Sequence, residues 1–252
     1  MADHGRAGRG ALVHQLRQQL DRADHHWRDG HQLHPPPPAI SFFNSPIPIV
    51  GSTLSDSSPT PSLAIKDGWT ISDAGGICSA SVQLNQTTIW SHTGSTATTT
   101  VSAHNQWTHQ IGTTDSLPAA ATDCQGNASS ASDHVDPTLS QEGAATYSAG
   151  WKTGQCACWS GGTVLESSKV GATAKFSFSG RLVTLISDKA PTRGKAALYV
   201  DGVYKKTVTL TSSIKANRLI AWNSGYLSAN GSHILTVKAI SGRIDIDAFL
   251  VN

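Results

Sequence analysis

Charge, methionine and long apolar runs are the scarce features of this sequence. Only 14% of its 252 residues are charged and Met occurs once, whereas Ser, Thr, Gly and Ala are abundant. That balance argues against a helical cytosolic enzyme and for a Ser/Thr-rich β-protein exposed outside the cell. No apolar run approaches the roughly 20 residues of a membrane-spanning helix, so no membrane span is predicted. The opening stretch MADHGRAGRGALVHQLRQQL carries arginines but no apolar core of secretory type, so no signal peptide is visible in it. The cysteines suggest an oxidising compartment all the same. Either the start is mis-assigned, or export uses another route, or the chain is the C-terminal region of a longer secreted polypeptide, which is the expectation preferred. Familiar catalytic signatures are missing too. There is no G-x-S-x-G elbow, no H-E-x-x-H and no glycine loop of the phosphate-cradling kind, so the chain reads as non-catalytic.

What charge there is divides along the chain. Residues 1–40 hold five Arg against four Asp. Residues 41–139 hold one base, Lys66, and seven acids. Residues 140–252 hold thirteen Lys and Arg against six acids. The net charge of +2 therefore conceals an acidic middle of −6 and a basic end of +7. The two can attract each other, or the basic part can face an anionic polymer, and a solvated surface explains it equally.

The patterning predicts three parts: 1–42, 43–138 and 139–252. In the first, Leu12, Leu16 and Leu20 fall at helical spacing, and Pro35 to Pro38 form a polyproline linker. His25, His26, His31 and His34 cluster there, but a tail without a core cannot hold metal ligands in fixed geometry. The second part reads as short Thr/Val/Ile-rich runs divided by Gly, Pro, Asp and Ser: PIPIVG, SLAIKDGWTIS, CSASVQLNQTTIW, TATTTVSA and NQWTHQI. Turn signals about every ten residues imply a β-sandwich. In the third part, ATAKFSFSG alternates Ala172, Ala174, Phe176 and Phe178 on one face, the pattern of a half-buried strand. Asp201-Gly202 then separates two strand-like runs, a strong hairpin signal. With no helical period longer than two turns, a jelly roll is the expected closure. The predicted class is all-β: one β-sandwich followed by a jelly-roll sandwich, with a short N-terminal helix or disordered tail.

The four cysteines favour staples over chemistry. Cys78 and Cys124 are 46 residues apart, a span suited to linking two strands across a core, and a bridge there would contribute about 3–4 kcal/mol in the chain-entropy model. Cys156 and Cys158 have the wrong spacing for a zinc site, and no second pair lies near them. A redox dithiol would want C-x-x-C at a helix N-terminus, and no helix is predicted there. A bridge between them needs a local turn, because residues two apart on a regular strand lie too far from each other. Free or cross-paired thiols are the other use of these two.

The string GATAKFSFSGRLVTLISDKAPTRGKAALYVDGVYKKTVTL, then NGSHILTVKAI and RIDIDAFLV, resembles a jelly-roll module at the C-termini of secreted bacterial proteins. Its marks are an alternating ATFTFTG-like strand, a K-x-P-x-R-G-x-A-x-x-Y-V-D-G hairpin, a G-x-H-x-L-x-V strand and a closing D-x-D-A-F-x-V, here over about 105 residues. The preceding SDAGGICSASVQL and ATDCQGNAS are similar to an Ig-like or fibronectin type III-like module. In that module the GIC and D-C-x-G-N cysteines pair, which implies a Cys78–Cys124 bridge. The resemblance places the jelly roll in the galactose-binding-like group, several members of which bind carbohydrate. It brings no list of binding residues.

Carbohydrate binding asks for exposed aromatic faces beside hydrogen-bonding groups. The candidates are Trp151, Trp159, Trp222, Tyr199, Tyr204 and Tyr226, with Trp159 foremost for its Gly/Ser loop and the two tyrosines next for flanking the Asp201-Gly202 turn. The loop DKAPTRGK adds Asp188, Lys189, Arg193 and Lys195, which suit an acidic sugar or a teichoic-type phosphate, although a solvated connection is the simpler reading. Asp245 and Asp247 share a strand face. They could serve as a glycosidase pair or as ligands of a structural calcium ion, and plain structural roles are simpler than either. Basic residues are not interleaved with aromatics in a nucleic-acid motif, and the acidic middle would oppose such a ligand. The expectation is a monomeric, extracellular or cell-surface protein that adheres to polysaccharide or cell-wall polymer, without a cofactor unless it is calcium. The competing roles are a structural or protein–protein interaction tail of a larger secreted protein, or an accessory region of a secreted hydrolase.

Overall fold

The computed structural model describes residues 36–42, 46–55 and 60–252, so the predicted helix around Leu12–Leu20 and the histidine cluster lie outside the described residues. The first six strands are β1 (Ala39–Phe42), β2 (Ile47–Pro48), β3 (Ser62–Leu84), β4 (Thr87–Gln110), β5 (Asp115–Asp123) and β6 (Ala128–Val135). Then follow β7 (Thr138–Gln141), β8 (Thr146–Tyr147), β9 (Lys152–Gln155), β10 (Thr163–Ser167), β11 (Thr173–Gly180) and β12 (Val183–Lys189). The last are β13 (Lys195–Val200), β14 (Val203–Thr209), β15 (Ala216–Asn223), β16 (Gly231–Ser241), β17 (Ile244–Ile246) and β18 (Ala248–Val251). The only helical pieces among the described residues are two 3₁₀ turns, Glu142–Ala144 and Ser160–Gly162, and no helix there is long and apolar enough to cross a membrane. The class is all-β, with every strand pairing between named strands antiparallel.

The N-terminal strands make one six-stranded sheet in which β3 is the spine. Its first half pairs with β1 and β2, and its second half with β5. The register shift between Ser72 and Ile77, over Asp-Ala-Gly-Gly, lets one strand serve both and bends the sheet until β1 lies beside β6. Trp69, Ile71, Ile77, Val82 and Leu117 fill the inside of that curve. CSASVQLNQTTIW, read as a single run, is in fact two strands with a turn. Asn85 and Gln86 both take positive φ (49° and 70°), the left-handed pair a tight hairpin needs, and Asn85 bonds Asp115 and Ser116 to hold it.

The C-terminal half is a jelly-roll sandwich. A five-stranded sheet (β14–β13–β16–β11–β8) faces a four-stranded one (β15–β12–β18–β7), and β17–β10–β9 forms a small third sheet. In β11, Ala174, Phe176 and Phe178 point inward as their alternation predicts, while Lys175, Ser177 and Ser179 are exposed. Phe176 stacks on Phe249 with ring centroids 4.2 Å apart. Leu185, Leu198, Trp222, Leu235 and Val237 complete the core, and each large side chain so buried contributes about 1.5–3 kcal/mol. Asp201 and Gly202 both have positive φ (52° and 77°), the turn that the Asp-Gly pair announces.

Residues 38–252 form one compact unit. Leu54, Leu63, Ile65 and Val135 from the N-terminal sheet share a buried cluster with Ile186, Ile220, Ala248 and Leu250 from the jelly roll. The β6–β7 connection, where a boundary near residue 138 was expected, runs beside that cluster.

Candidate functional site

Most of the residues singled out in the C-terminal half gather in two places, near opposite ends of β13, separated by roughly 20 Å of strand. At the near end, Cys156 and Cys158 are joined, and Cys78 is joined to Cys124 in the other half. The Cys156–Cys158 loop is gripped by Arg218, whose Nε donates to the Cys158 carbonyl (2.9 Å) and Nη2 to the Ala157 carbonyl (3.2 Å). Trp159 follows. Its Nε1 donates to Asp188 Oδ2 at 2.5 Å, and its ring lies so close over Gly154 that a Cβ there would meet it at 3.0 Å. Trp159 is thus half-buried, with its polar edge turned into the fold.

Behind Trp159 stands a network of buried charge. Arg193, with 8% of its surface exposed, pairs through Nε with Asp245 and through Nη2 with Asp188 at 3.4 Å. Arg243 also pairs with Asp245 (Nε to Oδ1, 3.0 Å) and reaches Glu166 (3.0 Å). Both arginines reach one carboxylate because the backbones of Arg193–Gly194 and Ser241–Arg243 abut: Gly194 N donates to the Arg243 carbonyl, and a Cβ on Gly194 would come within 1.6 Å of the Ser241 oxygen. Glycine is required there. The guanidinium of Arg193 is therefore turned inward, onto two aspartates, and Lys189 is half-buried at the end of β12.

Asp245 and Asp247 are buried, with 1% and 0% of their surfaces exposed, so neither opens on a cleft where a sugar could reach it. Asp247 accepts from Ser160 N at 2.9 Å. Burial and, next, the charge of Asp188 push its pKa up to about 8. Its Oδ2 is buried without a hydrogen-bond partner, as is Oε2 of Glu142. Among the described residues no group of three or more His, Cys, Asp or Glu could hold a metal ion. Asp245, with two guanidiniums on it, does not fit a calcium ion; its charge is already met.

At the far end of β13, the outer face of the five-stranded sheet presents a different surface. Tyr199 and Tyr204 pair across β13 and β14 and pack edge to face, with centroids 5.7 Å apart and planes at 70°. Tyr204 is 55% exposed. The register continues that row across the sheet: Tyr204 opposes Tyr199, Tyr199 opposes Thr236, Thr236 opposes Lys175, and Lys175 opposes Thr146. One line of side chains thus crosses five strands, roughly 19 Å at the usual strand spacing. Beside it lies an open depression of about 470 Å³ lined by Ser177, Phe178, Ser179, Asp201, Ser232, His233 and Ile234. Asp201 closes the hairpin onto β16, accepting from Ile234 N (2.8 Å) and bonding His233 Nδ1 (2.7 Å). That bond raises the His233 pKa and lowers that of Asp201.

The hydroxyl-lined depression and the continuation of the row to Lys175 escape sequence reading, because β11, β13 and β16 come together only through long connections. Of the remaining aromatic candidates, Trp151 packs edge-on against Tyr147, Trp222 is buried in the core, and Tyr226 is half-buried beneath Arg181.

No family model matches this chain, and no curated protein does. Among solved structures, it is similar to the Agl-KA catalytic domain (19% identity, TM-score 0.34, covering 46% of this chain and 27% of that one). It is also similar to the CBM36-1 domain of a multidomain xylanase from the hindgut metagenome of Trinervitermes trinervoides (15%, TM-score 0.36, covering 46% and 97%). A third likeness is to the exo-β-1,3-galactanase of Phanerochaete chrysosporium, solved with galactose (13%, TM-score 0.40, covering 86% and 69%). The chain spans about a quarter of the Agl-KA catalytic domain. With TM-scores this low, none of the three carries an argument about this chain.

Proposed function

We propose that this chain is a non-catalytic, extracellular carbohydrate-binding protein whose binding surface is the outer face of the five-stranded sheet. In this reading the N-terminal sheet is an Ig-like or fibronectin type III-like spacer, and the chain is an accessory or adhesive region of a larger secreted protein. The observation that carries it is the Tyr204–Tyr199 pair, with Tyr204 55% exposed and Tyr199 half-buried beneath it, beside a depression whose lining includes the hydroxyls of Ser177, Ser179 and Ser232. Aromatic rings take the C–H faces of sugars, and hydroxyls satisfy their O–H groups. The two disulfides support an oxidising compartment. Burial of Asp245 and Asp247 supports the absence of glycosidase chemistry at that pair. The test is retention of the full chain on a panel of insoluble polysaccharides. Wild type is expected to be held by at least one, and Tyr199→Ala/Tyr204→Ala to pass through. Equal retention of the two proteins, or none on any glycan, would return the chain to the competing role of an interaction tail.

A structural calcium ion is a second reading, favoured by two orphaned oxygens, Asp247 Oδ2 and Glu142 Oε2. With only two carboxylates the ion would draw its remaining ligands from backbone carbonyls and water. Added calcium would then raise the melting temperature over that in a chelator, and the rise would vanish in Asp247→Asn. An identical melting temperature with and without calcium refutes it.

A further inference from the structure

The strands of the five-stranded sheet carry five lysines, Lys175, Lys195, Lys205, Lys206 and Lys238, and no carboxylate. Three of them fall on one diagonal of the outer face. Lys238 opposes Thr173, two residues from Lys175, and also opposes Ala197, two residues from Lys195. Lys175 and Lys238 are regular diagonal neighbours, roughly 7–8 Å apart, whereas Lys195 opposes Ser241 beyond a register shift and stands farther along the same line. All three are exposed, and the ion pairs of the described residues include none of them. Those ion pairs instead join four of the six acids of this half, Glu166, Asp188, Asp201 and Asp245, to arginines and to His233. Asp201, at the β13–β14 turn, is bonded to His233 and feels Lys205, so it leaves the diagonal uncompensated.

Lys175 and Lys238, one diagonal step apart, repel, Lys195 adds a third like charge farther along, and the sheet gains nothing from them. They meet the row of Tyr204, Tyr199 and Thr236 at Lys175 and run from it toward the first residue of β13, on the side away from the depression. Rings, hydroxyls and cations thus occur on one open face. Lysine, a point charge on a flexible stem, meets anions whose orientation varies along a chain, whereas arginine's fork wants one fixed geometry. We infer that this face is a site for an acidic polysaccharide, with Lys175, Lys238 and Lys195 meeting its carboxylates while the tyrosines take a sugar ring. The assignment rests on the carbohydrate reading above and narrows it to polymers of uronate type. Serine and threonine hydroxyls beside the cations fit a sugar backbone. Nucleobases would need exposed rings interleaved among the cations, and here both tyrosines stand at one end.

The experiment measures binding of the full chain to polygalacturonate, to soluble neutral xylan and galactan, and to duplex DNA, over a range of NaCl concentrations. Wild type is expected to bind polygalacturonate more weakly as salt rises. Lys175→Gln/Lys195→Gln/Lys238→Gln should bind it at least about tenfold more weakly, with the salt slope reduced by roughly two to three. The same positions changed to Arg should keep affinity within about threefold, since charge is retained. An unchanged melting temperature in both variants shows that they fold. If the Gln variant binds polygalacturonate as wild type does, the inference falls while the tyrosine reading stands. If wild type holds only neutral polymers, and Tyr199→Ala/Tyr204→Ala releases them, the inference again falls alone. Tighter binding of DNA than of polygalacturonate would overturn the assignment to a polysaccharide. Salt-dependent binding to polygalacturonate that ignores the tyrosine substitutions but needs the lysines would uphold the charged face and refute the stacking role.

Discussion

The jelly roll holds two sets of charged residues at one level of sequence complexity and treats them in opposite ways. Around β12, β13 and β17, Asp188, Arg193 and Asp245 are buried and joined to one another, with Arg243 against the same aspartate. On the outer face of the five-stranded sheet, Lys175, Lys195 and Lys238 are exposed and uncompensated. Removing one member of a buried pair strands its partner in low dielectric, whereas removing a solvated lysine strands nothing. The first set therefore belongs to folding, and the second is free for a ligand. Two of the residues chosen for binding from the sequence, Arg193 and Trp159, are tied to the first set: Arg193 by its ion pairs and Trp159 by its bond to Asp188.

The sharpest way to break this comparison is Asp245→Ala. It leaves Arg193 buried without its main partner and is expected to destabilise the protein by about 3–5 kcal/mol, read from the urea midpoint. A loss below about 1 kcal/mol would mean that the network is dispensable. The pH dependence comes next. Asp247 has its folded pKa raised to about 8, so the native state holds a proton that the unfolded chain releases as pH rises past the ordinary carboxylate range. Stability should fall between about pH 4 and pH 8 in calcium-free buffer, and Asp247→Asn should flatten that fall. Asp67, buried and raised to about 7, contributes in the same sense and will leave a residual slope. Urea midpoints at pH 5 and pH 8 for both proteins check it, and parallel curves would contradict it.

Smaller still is the expected effect of the lysines on the fold. Each Lys→Gln change should move stability by no more than about 0.5 kcal/mol, the scale of an ordinary surface substitution. A loss comparable to that of Asp245→Ala would place the lysines in the fold after all. The smallest effect belongs to the pair of Asp201 and His233, because the Asp201 side chain is 48% exposed and solvent screens the pair from that side. The raised His233 pKa contributes stability below its unfolded value that fades as pH rises through the folded one. The lowered Asp201 pKa contributes stability above its unfolded value that fades as pH falls. The pair should help only in the mildly acidic window between these, and His233→Ala should change the melting temperature there and little elsewhere.

Much of this architecture can be read from local signals. Asp201-Gly202 fixes the β13–β14 hairpin and with it the facing of Tyr199 and Tyr204, because a two-residue turn sets the register. The alternation in ATAKFSFSG fixes which side of β11 is wet. The turn at Asn85–Gln86 carries no glycine, so nothing in the composition divides that run; contacts with Asp115 and Ser116, thirty residues on, stabilise it. Arg193 sits in a polar loop with every mark of exposure, and only the approach of Ser241–Arg243 to Gly194 buries it. The lysine diagonal is built from three strands distant in sequence, so no window of residues contains it.

The claim at the centre is that the outer face of the five-stranded sheet, and not the loop around Trp159, meets the polymer. Its most direct test is retention on insoluble polysaccharide of wild type, Tyr199→Ala/Tyr204→Ala and Trp159→Ala, each shown to fold by its melting transition. The account predicts that wild type and Trp159→Ala are held while the double tyrosine variant runs through. Retention of the tyrosine variant together with loss of Trp159→Ala would contradict it.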